Sequence, residues 1–169
     1  MAFSPIRLSG TQEPILLFVC TGNTCRSPLA EVLFKAHLGE NGGWSILSAG
    51  LHAAPGASAS APAIAVARER GIDLSAHLAR PVTDALAFAA THIVAMTASH
   101  VAELRRRFPF ARDKIRLLGE FAAEGRAGRD IPDPFGGSVA DYRRCAAGMT
   151  ACFDGLARAL RTGPKPTAD

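Results

Sequence analysis

The chain has 169 residues, a formal net charge of +4 at pH 7 and 48% hydrophobic residues. That length fits one domain with a real core, and no apolar run approaches the roughly 18 residues needed to span a membrane. The mild positive charge reads first as arginine-rich composition; it favours anionic substrates, and no aromatic-plus-basic cluster points to nucleic acid.

Residues 1–14 read as a loose extension punctuated by Ser, Pro, Gly and Thr, without the apolar centre of a signal peptide, so cytoplasmic residence is expected. The run 15–19, Ile-Leu-Leu-Phe-Val, predicts a buried parallel strand. A polar loop from Cys20 to Arg26 follows. Ser27 is expected as the N-cap and Pro28 as the first residue of a helix to about Leu38. Its apolar stripe is expected at Leu29, Val32, Leu33 and Ala36, with Leu29 in the core, and Gly39 and the Gly42-Gly43 pair end it. Residues 44–49 predict a second strand, 62–70 a helix closed by Gly71, and 72–81 an irregular connector.

A short helix starts at Thr83 or Asp84, and 91–96 predicts the third strand. Thr97 or Ser99 caps the next helix, which stops near Phe108-Pro109; its Arg105-Arg106-Arg107 run reads as a solvated face. Residues 115–118 predict a fourth strand, and 130–137 a turn-rich loop stiffened by Pro132 and Pro134. Ser138 caps one long helix to about Leu160, with Cys145 and Cys152 as core residues, and 162–169 reads as a tail. One domain over 15–161 is therefore expected. Alternating strands and helices imply an α/β three-layer sandwich, a parallel sheet with helices on both faces. Ligands in such sheets bind beyond the strand C-termini, where the loop at Cys20 lies.

That loop suits a tetrahedral dianion held over a thiolate. Backbone N–H groups of Thr21, Gly22, Asn23, Thr24 and Cys25, closing onto a helix start, cradle an anion. The same field favours the nucleophilic thiolate of Cys20, and Arg26 can offer two parallel donors to phosphate oxygens. Gly22 and Asn23 both tolerate a left-handed backbone. A buried structural cysteine is the bland alternative. The four cysteines do not form a disulfide scaffold, no Cys or His pair has zinc-ligand spacing, and neither metal nor other cofactor is expected.

The stretch Cys20-Thr21-Gly22-Asn23-Thr24-Cys25-Arg26-Ser27-Pro28 closely resembles the phosphate-binding loop of the low-molecular-weight protein-tyrosine-phosphatase family. The resemblance extends over roughly residues 15–160. Its bacterial branch includes protein-arginine phosphatases, and thioredoxin-coupled arsenate reductases share the fold. The resemblance implies four strands in the order 2-1-3-4, a phosphorylated protein as substrate, inorganic phosphate as product and a phosphocysteine intermediate. It makes Asp133, in Asp-Pro-Phe, the general acid and then base; on its own residues Asp133 would read as a turn aspartate, and Asp130 is the runner-up. It also implies a brace in which Asn23 locks the loop and is held by Ser27, Ser48 and His77, with Ser27 donating to the thiolate. Cys25 is either a redox partner of Cys20 or a packing residue. Phe135 and His52 are expected at the pocket rim.

Thr24 and the Asp-Pro-Phe-Gly-Gly stretch resemble the arginine-directed branch, while tyrosine-directed members often carry Tyr where Gly136 stands. His92 departs from an Asp common in the family, a change expected to affect packing. An arsenate reductase is the alternative enzyme, but it needs further cysteines near the third strand, and none lies between Cys25 and Cys145. A non-catalytic anion-binding module is the third reading.

Overall fold

The computed structural model describes residues 13–39, 43–125 and 127–162. β1 (Ile15–Cys20) pairs in parallel with β2 (Ser45–Gly50) on one side and β3 (His92–Ala95) on the other, and β3 pairs with β4 (Ile115–Leu117). The order is β2-β1-β3-β4, as expected. α1 (Arg26–Leu38) joins β1 to β2, and α2 (Ala61–Arg68) and α3 (Asp84–Ala89) lie between β2 and β3. α4 (Ala98–Arg107) joins β3 to β4, and α5 (Val139–Thr150) and α6 (Phe153–Thr162) follow.

The period-two alternation of a strand sorts β1 into two cores. Leu16, Phe18 and Cys20 face a core shared with α1, α2, α5 and α6. Leu17 and Val19 face a second core with α3, α4 and the 3-10 turn over Pro109–Lys114. Burial on both faces is why 15–19 is a continuous apolar run rather than an alternating one. Phe34 anchors α1, meeting Phe18 edge-on at 5.7 Å and Phe153 at 5.0 Å.

Several local expectations are corrected. Ser27 is not the N-cap: α1 begins at Arg26, Cys25 holds the cap position without a side-chain bond, and Ser27 is buried in the first turn. Ala30 and Phe34 carry the buried stripe with Leu29 and Leu33, and Ala36, in the last turn of the helix, is exposed. Gly39 ends α1 with φ 66, whereas Gly42 lies outside the described residues. The single long C-terminal helix is two, broken at Ala151 and Cys152. The break seats Gly155 against Phe121, where a Cβ would come within 2.1 Å of a carbonyl oxygen. The arginine run is not all solvated: Arg105 donates to the Ile115 carbonyl at 3.0 Å and Arg107 to the Leu51 carbonyl at 2.8 Å, leaving Arg106 exposed. Thr97, Thr83 and Ser138 cap α4, α3 and α5 through their hydroxyls. His92 stacks on Trp44 at 5.5 Å, the packing role expected of that departure. The terminal extensions lie almost wholly outside the described residues, and Thr162 is the last residue of α6.

Candidate active site

β1 delivers Cys20 to the C-terminal edge of the sheet, and α1 starts at Arg26; both side chains are buried. The turn between them is left-handed at Asn23 alone, with φ 55; Gly22 does not use that conformation. A non-glycine residue held there needs compensation, and the Asn23 side chain supplies it. Its Nδ2 donates to Ser27 Oγ at 2.9 Å and Ser48 Oγ at 3.0 Å, and its Oδ1 accepts from Arg80 N at 2.9 Å. His77 holds the same residue by another atom. Its Nε2 lies 2.7 Å from the Asn23 carbonyl, which can only accept, so Nε2 carries the proton.

The network has a direction. Ser48 donates to the Glu31 carboxylate at 2.6 Å, leaving its oxygen to accept from Asn23. Ser27 likewise accepts from Asn23, so its own proton is free for Cys20 Sγ at 3.0 Å or the Ala49 carbonyl at 3.2 Å. β2 presses on the loop from the side: a Cβ on Gly50 would lie 2.6 Å from the Thr21 carbonyl oxygen and 2.8 Å from Asn23 N. Glu31 and Arg80, which also donates from Nε to the Ser48 carbonyl at 2.9 Å, were invisible in the sequence because no local pattern links them to the loop.

Two further contacts were equally hidden. Cys25 Sγ lies 3.0 Å from the Tyr142 hydroxyl, which accepts from Ser60 at 3.1 Å. Burial, with the Cys25 contact second, pushes the Tyr142 phenol up to about 12, so it stays protonated. Thr21 Oγ1 meets His100 Nε2 at 2.9 Å. His100 is held below its ordinary value of 6.5 by burial and then by Arg26, so it is neutral near pH 7. Cys145 and Cys152 are buried core residues, and burial pushes the Cys145 thiol up to about 12.

The proline-stiffened loop reaches the site from the other side. Its root is tied down: Ile131 N donates to the Met96 carbonyl at 2.8 Å, and Asp130 accepts from Ala98 N at 2.8 Å, at the start of α4. Arg26 spans both loops, donating from Nη1 to the Ile131 carbonyl at 3.0 Å and from Nη2 to Asp133 Oδ2 at 2.9 Å. Its Nε is buried without a protein partner. Asp133 also accepts from Phe135 N at 3.1 Å.

Cys20, Thr21, Thr24, Arg26, Asp133 and Phe135 line one cavity of about 240 Å³, together with Gly22 and Cys25. His52 does not line it: the ring is exposed and sits 3.0 Å from the Glu103 carboxylate. A thiol, a guanidinium and a carboxyl converging on a small cavity can bind a tetrahedral anion, attack it and exchange a proton with it.

Comparison with known proteins agrees with this geometry. The family model described as low molecular weight phosphotyrosine protein phosphatase matches residues 15–165. A protein-arginine-phosphatase of Geobacillus stearothermophilus is 42% identical over 147 residues, covering 87% of this chain and 96% of that protein. A low molecular weight protein-tyrosine-phosphatase of Streptomyces coelicolor is 34% identical over 153 residues, covering 85% and 92%. Among solved structures, a mutant YwlE arginine phosphatase with a phosphorylated active-site serine superposes with a TM-score of 0.80 at 35% identity, covering 88% of this chain and 97% of that one. The chain belongs to the low molecular weight phosphotyrosine protein phosphatase family and, like these relatives, is a phosphatase.

Proposed function

We propose that this phosphatase removes phosphate from phosphoarginine in proteins, through a phosphocysteine on Cys20. Cys20 Sγ attacks phosphorus, an S–P bond forms and the P–N bond breaks, while Asp133 protonates the leaving nitrogen. Water then attacks phosphorus, Asp133 takes its proton, the S–P bond breaks and inorganic phosphate leaves. Arg26 and the loop N–H groups hold the equatorial oxygens throughout, and Ser27 stabilises the departing thiolate. The Arg26–Asp133 ion pair fits this sequence. A carboxylate occupies the guanidinium where phosphate oxygens bind, and the arriving dianion displaces it, freeing the carboxyl to turn to the leaving group. The relative with phosphate on an active-site serine supports a covalent phosphoenzyme.

The choice of phosphoarginine rests on Thr24, which lines the cavity. A small hydroxyl residue leaves room for a guanidine nitrogen and can hydrogen-bond it. The relative at 42% identity, a protein-arginine-phosphatase, supports the same choice. Phosphotyrosine is the second reading, carried by the relative at 34%. Paired peptides differing only in the phosphorylated residue test it. Wild-type enzyme should favour phosphoarginine, and Thr24→Ile should lower kcat/KM for that peptide by roughly 10- to 100-fold while sparing phosphotyrosine. A wild-type preference for phosphotyrosine that Thr24→Ile leaves unchanged would reverse the assignment.

A further inference from the structure

A larger cavity, of about 480 Å³, lies on the far side of the proline-stiffened loop. It shares Asp133 and Phe135 with the catalytic cavity, so the two are separated only by that loop's tip. Phe135 stands between them as a ridge, 78% exposed. Pro132, Asp141, Arg144, Cys145 and Gly148 are among the residues that line the larger cavity. Its one cation is Arg144 and its carboxylates are Asp133, shared with the catalytic cavity and paired there with Arg26, and Asp141. Arg144 is paired with Asp141, Asp141 is also bound by Ser138, and the Cys145 thiol is held protonated by burial. The volume lies within the range of ordinary ligand pockets.

We propose that this cavity is a second substrate subsite, taking an apolar side chain that flanks the phosphorylated residue of the substrate polypeptide. The inference rests on the phosphoprotein reading above. A phosphorylated side chain seated over Cys20 brings its own backbone out past Asp133 and Phe135, so a neighbouring residue crosses the ridge into the adjoining cavity. A proline- and glycine-walled pocket gains from burying an apolar side chain, and its Asp133 and Asp141 carboxylates disfavour an acidic one. The glycines matter: at Gly148 the nearest atom to an added Cβ is Ile131 Cδ1 at 3.8 Å, so the pocket can be filled there without a clash at the root.

The test is a set of phosphopeptides with Gly, Leu or Asp at each of the two positions on either side of the phosphorylated residue. Wild-type kcat/KM should rise about tenfold for Leu over Gly at a position on one side, and should not rise for Asp. Gly148→Leu should abolish that preference while a small aryl phosphate turns over at the wild-type rate. Equal kcat/KM across the wild-type series overturns the subsite, whatever the variant does, and so does a Gly148→Leu enzyme that keeps the preference. Absence of aryl phosphate turnover in wild-type enzyme would instead remove the phosphatase mechanism itself.

Discussion

The two loops that meet at Arg26 are built in opposite ways. The loop from Cys20 to Ser27 is buried where it matters, with Asn23, Cys20, Arg26 and Ser27 all at or below 3% exposure, and every polar atom of the Asn23 side chain is engaged. The loop over residues 130–137 is fixed at its root by Asp130 and Ile131, yet its working carboxyl is 47% exposed and its aromatic tip faces solvent. The difference matches the two tasks. A nucleophile and its anion cradle act best when preorganised, because reorganisation during the reaction adds to the barrier. A group that must protonate, then deprotonate, has to exchange partners, and an anchored root with a free tip permits that.

Substitutions can break this contrast, beginning with the rigid loop. Cys20→Ser should lower turnover by about 10⁴-fold or more while phosphate or vanadate still binds, because the cradle survives the loss of its nucleophile. A rate near wild type would remove the phosphocysteine. In the loop over 130–137, Asp133→Ala should cost about 10²- to 10³-fold with poor leaving groups and much less with an activated aryl phosphate. Asp130→Ala should act only through the loop's root and the start of α4, costing less than tenfold in rate and about 1 kcal/mol in stability. If the two variants exchange these phenotypes, Asp130 is the acid.

Smaller effects sharpen the same comparison. Gly50→Ala drives a Cβ into the backbone of Thr21 and Asn23, so it should cost about 1–3 kcal/mol and lower activity by deforming the cradle. Gly22→Ala meets nothing closer than Thr24 Oγ1 at 3.6 Å and should leave the thermal midpoint unchanged. Equal midpoints for the two variants would show that β2 does not brace the loop. The smallest effect is with pH. Burial, the largest cause in both cases, lowers His100 and His92 below 6.5, with Arg26 adding at His100 and Arg116 at His92. The unfolded chain then binds more protons, so stability is full above about 6.5, falls as pH drops below it and levels off beneath the depressed folded values. His100→Gln should flatten part of that slope in thermal midpoints measured from pH 7.5 to 5. The loop over 130–137 contains no histidine, and His92 stacks on Trp44 at the opposite end of the sheet, so only the His100 share of the loss reports on the catalytic edge.

The legible part of the site was the part encoded locally. Cys20 and Arg26 stand in one strand–loop–helix unit whose apolar run, polar turn and Ser-Pro step are all contiguous, and Thr97, Thr83 and Ser138 cap helices through bonds to residues three positions away. The Asp-Pro-Phe stretch was visible as a stiff loop, but only the family resemblance aimed it at Cys20. The same resemblance placed Asn23, Ser27, Ser48 and His77 in one brace, and the structure adds that His77 reaches Asn23 through its backbone carbonyl.

What escaped were single contacts across long separations. His52 follows β2 by only two residues, yet its ring turns to Glu103 on α4. Tyr142 reaches Cys25 across 117 positions, and Glu31 reaches Ser48 because α1 packs back onto β2. Ser27 looked like a cap because its residue type fits one; the tertiary fold gave its hydroxyl to Cys20 and Asn23 instead. The sequence by itself determined the succession of apolar strands, the anion loop with its thiol and guanidinium and, by resemblance, the family and its strand order. Only the tertiary structure decided the direction of the hydrogen-bond network, the Arg26–Asp133 pairing and the cavity beyond Phe135. Propensity and motif act over a few residues, whereas these features depend on how helices and loops distant in the chain close on one sheet edge.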